Sequence, residues 1–122
     1  MSSVAGALEP CGCVKDMLGG ADHAAAYIAS QTGAAPNAIV LGAGPMLFLN
    51  ARPDPSRDTQ AGFKADALAD AYKSLRLAAW APGANDWLLG APALEKLAQR
   101  SGAALLGANL KGSPAARTKL LE

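Results

Sequence analysis

Aromatic residues are scarce in this chain: two Phe, two Trp and two Tyr among 122 residues. A core with so few rings must be built from aliphatic side chains, and alanine, at 29 residues, supplies most of them. Alanine lets backbones approach closely but buries little area, so the core is expected to be shallow. Cysteine is nearly absent. Cys11 and Cys13, separated only by Gly12, are too few for a disulfide scaffold. A dominant sign of charge is also lacking: the net charge is +1, which gives no reason to expect nucleic acid or an anionic membrane as a partner. No apolar run reaches the roughly 20 residues of a membrane-spanning helix. Met1 to Leu8 has neither the basic start nor the apolar stretch of a signal peptide.

What remains is a chain that is 51% hydrophobic and 17% charged, of a length suited to one real core. Its patterning predicts alternating helices and strands. Met1 to Val14 is irregular, with Pro10 and Gly12 as breakers and a strand end expected over Ala5 to Leu8. Ala21 to Ser30 is helical in period, placing Ala25, Ile28 and Ala29 on one face, with Gly19-Gly20 before it and Gly33 as its stop. Ala38-Ile39-Val40-Leu41 is a continuous apolar run, the mark of a strand covered on both faces, and is expected to end near Gly42. Met46-Leu47-Phe48-Leu49 then falls in a structured loop.

A second helix is expected from about Thr59 to Leu75, with Phe63, Ala67, Ala71 and Leu75 as its inner stripe. Asp66 and Asp70 are then placed on a solvated face beside Lys64 and Lys73. Leu77 to Trp80 reads as a strand, Ala93 to Arg100 as a helix stopped by Gly102, and Ala103 to Leu106 as a third strand. Asp86 is suited to capping a short turn. The sum is a single α/β domain over residues 1–110: a layered, mostly parallel sheet with alternating helices. Residues 111–122, with Lys111, Arg117 and Lys119, read as a basic, disordered tail, Leu121-Glu122 being a candidate cloning scar.

In a parallel sheet, ligands collect outside the carboxyl ends of the strands. Those ends are Gly42-Ala43-Gly44-Pro45, Ala81 to Asp86, and Gly107-Ala108-Asn109, all rich in small residues. Gly42-x-Gly44 is not a dinucleotide loop, because Pro45 follows and position 47 is Leu rather than Gly.

Five segments taken in order carry a resemblance: Leu8-Glu9-Pro10-Cys11-Gly12-Cys13 with Leu18-Gly19-Gly20; Leu41 to Phe48; Lys64 to Leu68; Gly83-Ala84-Asn85-Asp86-Trp87-Leu88-Leu89-Gly90; and Gly107-Ala108-Asn109-Leu110. Together they resemble the first half of a calcineurin-like metallophosphoesterase, of the bacterial branch similar to 5′-nucleotidases and UDP-sugar hydrolases. The resemblance implies the first half of a metallophosphoesterase sandwich, a divalent-metal site acting on phosphate esters, and an extracytoplasmic, periplasmic setting.

The departures from the family pattern are as specific as the matches. The family's D-x-H should precede Leu8, and Met1 to Ala7 contains neither Asp nor His. The bridging aspartate of D-A-G-D falls on Pro45, and in G-N-H-E the metal-binding asparagine falls on Ala84 and the histidine on Asn85. A one-residue shift would restore Asn85 as a ligand, although the spacing from Gly83 to Gly90 favours the first alignment. Gly42, Gly44, Pro45, Gly83, Ala84, Asn85, Asp86 and Asn109 therefore outline a degenerate pocket with no catalytic residue expected. Hard divalent ions need several converging oxygen or nitrogen ligands, so no dinuclear centre is expected.

The implied function is a non-catalytic binding or structural module with a protein partner or a second copy of itself. The enzymatic alternative is a metal-dependent phosphoric ester hydrolase, completed by a longer chain or a partner. A third class rests on Cys11 and Cys13, whose C-x-C spacing suits a soft metal or a reducible disulfide, with His23 as a further ligand. Its bland counterpart is a simple turn with His23 on a helix surface. Trp80 and Trp87 are read as core or rim packing rather than a stacking wall for a ligand.

Overall fold

The computed structural model describes residues 1–10, 12, 19–35 and 37–107. Cys11, Cys13, Asn109 and the basic tail lie outside the described residues, and with them the soft-metal pair and the third strand end expected there. Helices and strands alternate as the apolar patterning requires: α1 (Ala21–Ala34), β1 (Val40–Gly44), α2 (Asp58–Ser74), β2 (Leu77–Pro82), one 3-10 turn (Ala84–Trp87), α3 (Ala91–Ser101) and β3 (Ala104–Leu105). The sheet is parallel, in the order β1-β2-β3. This is a small layered α/β fold.

The expected strand end over Ala5 to Leu8 is corrected. Pairing occurs earlier, where Ser2 forms a parallel bridge to Ala43, and Ala5-Gly6 is a turn. Ser3 N–H donates to Ala43 O at 3.1 Å and Ala43 N–H donates to Met1 O at 3.1 Å, so the amino-terminal segment extends the sheet beyond β1. β1 also runs further than expected, through Gly42 to Gly44. It can do so because β2 continues opposite it, pairing Gly42 with Trp80, Ala43 with Ala81 and Gly44 with Pro82.

Two helix boundaries move outward. α1 passes Gly33 and ends at Ala34, since a lone glycine in an alanine-rich helix weakens it by only about 1 kcal/mol. α3 begins at Ala91, with Pro92 in its first turn where no intrahelical N–H is needed. Its stop at Gly102 is as expected: the residue is left-handed, φ 72°, and its N–H donates to Gln99 O.

The inner stripe of α2 is also corrected. Its buried residues are Ala65, Leu68, Ala69 and Tyr72, while Phe63 is 71% exposed. Turning the helix this way buries Leu68 and Tyr72 together and lets the Tyr72 hydroxyl donate to Met46 O at 2.8 Å. The expected stripe has the same inventory, one ring, one leucine and two alanines, but its ring, Phe63, carries no hydroxyl to donate. Asp70 is exposed and Asp66 half-buried, and their partner is Arg100 on α3, not the neighbouring lysines. The guanidinium donates to Asp70 through Nε at 2.7 Å and Nη2 at 2.6 Å, and lies 3.3 Å from Asp66.

The core lies between the sheet and the helices. Trp80, Tyr72, Leu68 and Leu94 pack there with Met46, Leu47 and Phe48 from the loop after β1. Trp87 packs on its margin. The chain steps from the amino-terminal segment to β1, β2 and β3 in one direction, with a helix in each crossover. Right-handed crossovers taken in one direction put every helix on the same side of the sheet. The contacts agree: α2 packs on α3, and α1 touches α2.

Among the described residues, no helix lies on the opposite side of the sheet. Ala78 is one extra residue in β2, because Val40 pairs with Leu77 and the next residue, Leu41, pairs with Ala79. Beyond this bulge Gly42 and Trp80 face the helices, while Leu41, Ala43, Ala79, Ala81 and Ala104 face away. Leu41 is 47% exposed, and Ile39 just before the strand is 67% exposed. Ala79, on the central strand, is nonetheless buried, at 3% exposed, outside the main core cluster.

Candidate functional site

The carboxyl ends of β1 and β2 come together through two close approaches of small residues. Gly42 lies under Trp80: a Cβ there would stand 2.8 Å from the Trp80 Cβ and 3.0 Å from the Met46 methyl. Gly83 lies against Pro45, so closely that a Cβ would collide with the Pro45 nitrogen and sit 2.6 Å from its Cδ. The small residues at the strand ends therefore let two loops lie one upon the other.

Asp86 fastens those loops. Its side chain is 1% exposed, and it stands in the 3-10 turn that follows Gly83. One carboxylate oxygen accepts N–H bonds from Met46 at 2.9 Å and Leu47 at 2.8 Å. The other accepts from Met46 at 3.1 Å and from Gly83 at 3.1 Å. Burial holds the carboxyl above the usual carboxylate range, and the backbone N–H donors of Leu47, Met46, Gly83 and Phe48 pull in the other direction without overcoming it. Burial also pushes the neighbouring Tyr72 hydroxyl up, and the negative charge of Asp86 adds to that.

Asn85 completes the clasp from the same turn. Its amide nitrogen donates to Phe48 O at 3.2 Å and to Leu49 O at 2.6 Å. Three side chains, Tyr72, Asn85 and Asp86, thus bond five backbone groups of residues 46–49, a loop buried from Met46 to Phe48.

Of the degenerate pocket, Gly44, Pro45, Gly83, Asn85 and Asp86 converge. Gly42 lies on the helix-facing side of the sheet, and Ala84 is exposed. The role of Asp86 is wider than the capping expected of it: it binds its own turn through Gly83 and a loop about forty residues away. Tyr72 was not singled out at all. Its signal was the Leu68–Tyr72 spacing, one helical turn, on a helix whose other stripe looked more continuous.

His23 is exposed on α1. Among the described residues, no group of three His, Cys, Asp or Glu side chains is placed to hold a metal ion. The dinuclear metal implied by the resemblance does not fit the residues at the strand ends. Pro45 and Ala84 have no side-chain donor atom, the Asp86 oxygens are turned onto backbone N–H groups, and the Asn85 amide is turned onto backbone carbonyls. No helix among the described residues is long and apolar enough to cross a membrane. Comparisons with family models, with curated proteins and with solved structures return no match to this chain.

Proposed function

We propose that this chain is a degenerate, metallophosphoesterase-like scaffold that works as a binding or structural module rather than as a catalyst. The observation that carries the reading is the bare apolar sheet face. All helices of the described residues lie on the other side, and Leu41 and Ile39 remain exposed beside alanines that would let a partner approach closely. The state of Asp86 supports it from the other side of the argument. The carboxylate at the strand ends is spent on the backbone, which leaves a closed clasp where chemistry would need open ligands. The partner is a protein, a second copy of this chain included, and the extracytoplasmic setting implied by the resemblance belongs to the same reading.

Sedimentation equilibrium over a wide concentration range tests it. Reversible self-association, or a stable complex with a protein from the same cell, is the expected result. A compact monomer at every concentration that also binds no protein would overturn it. The convergence of Pro45, Gly83 and Asn85 favours one second reading, a phosphoesterase whose missing ligands come from a longer chain or a partner. Manganese-dependent hydrolysis of a phosphate ester by the assembled protein would establish that reading in place of the first.

A further inference from the structure

A cleft of about 350 Å³ lies beyond the clasp, between the loop after β1 and the first turns of α2. That volume is within the range of small-molecule sites, and the position is the one that parallel α/β sheets offer to ligands. Its wall is apolar where Leu49 and Leu88 line it, and Leu49 is 71% exposed although it follows three fully buried residues. Its rim carries three cations, Arg52, Arg57 and Lys64, against two carboxylates, Asp54 and Asp58.

The carboxylates are engaged locally. Asp54 accepts from Ser56 N–H at 3.0 Å and Ser56 Oγ–H at 2.6 Å, and its second oxygen faces Arg57 at 3.7 Å. Asp58 turns back to accept from Asp54 N–H at 3.0 Å. Arg52 and Lys64 have no ion pair among the described residues. The loop carrying Arg52 is anchored at its base by the Asn85 bonds to Phe48 and Leu49, so the cleft is held open without a ligand.

We infer that this cleft binds a small organic anion, with Arg52 and Lys64 holding the oxyanion and Leu49 and Leu88 the apolar body. The chemistry is shared by carboxylates and phosphomonoesters. A planar guanidinium suits either head, and an ammonium serves as a point charge beside it. The inference is independent of the sheet face and of the resemblance.

The test is an NMR titration of the whole chain with benzoate and, separately, with phenyl phosphate. Saturable amide shifts confined to residues 5–7, 47–64 and Leu88, the cleft's lining, are expected, and the tighter of the two probes identifies the head group. Replacing both cations, Arg52→Gln with Lys64→Gln, is expected to weaken binding at least tenfold, while Arg76→Gln, an exposed cation far from the cleft, leaves it unchanged. Both target side chains are exposed, so the fold is retained, and Lys64→Met alone gives a milder loss from a variant that keeps the aliphatic stem. Shifts scattered over the surface, an equal loss in Arg76→Gln, or inorganic phosphate binding as tightly as phenyl phosphate would each overturn the inference.

Discussion

Asp86 takes four backbone hydrogen bonds into two oxygens, and an asparagine in its place could accept at only one of them. Asp86→Asn would set an amide N–H₂ against the Gly83 and Met46 donors and leave a buried N–H without an acceptor. The expected loss is about 1–3 kcal/mol of stability by urea unfolding. Its pH dependence has a definite sign. Burial raises the carboxyl in the folded state above its unfolded value, so the native chain holds more protons in that window. The stability from this group is complete below the unfolded value and falls as pH rises through the raised one. The gap between the native chain and Asp86→Asn should therefore narrow from pH 4 to pH 7. A gap that widens would mean that the N–H donors outweigh burial. None of this was readable from Ala84-Asn85-Asp86-Trp87 alone, because the partners of Asp86 stand about forty residues earlier and become neighbours only when two parallel strands end side by side.

At the scale of elements, the approach of β1 to β2 depends on the lack of a side chain at Gly83. Its φ of −83° is open to any residue, so the constraint is space alone. A Cβ would press on the Pro45 ring and stand 2.7 Å from the Gly44 carbonyl carbon, both parts of a backbone that cannot turn aside. Gly83→Ala should cost about 3 kcal/mol. Gly62→Ala, in the middle of α2 with nothing within 4 Å, should be stabilising by about 0.5–1 kcal/mol. Thermal unfolding of the two variants separates a packing constraint from a general glycine effect, and equal shifts would refute the packing account. The order of elements was legible because apolar runs and glycine stops are local signals. The rotation of α2 was not, since it depends on Tyr72 finding a carbonyl on a loop 26 residues away.

At the scale of the molecule, three crossovers in one direction have a geometric consequence among the described residues: a sheet with helices on one face and none on the other. The alternation of helix and strand in the sequence already implied parallel pairing. It could not show which strand neighbours which, and so could not show that none of the three described α-helices crosses to the second side. The bare face is small. β1 and β2, of five and six residues, rise about 16–20 Å, but β3 has two residues and the amino-terminal line joins by one bridge, with lines about 4.8 Å apart. Each copy thus offers at most roughly 300 Å², or about 600 Å² for a pair, no more than half of what a stable interface ordinarily buries. Any self-association through this face must therefore be weak and reversible unless a partner extends beyond it. Leu41→Lys should abolish association seen by sedimentation without lowering the melting temperature, since the side chain is already 47% exposed and would carry its charge into solvent. Tyr27→Lys, on α1 and 68% exposed, is the matched change on the helical side and should leave association intact. If the second substitution acts and the first does not, the helical layer is the contact surface, and the bare face then needs another explanation than a partner.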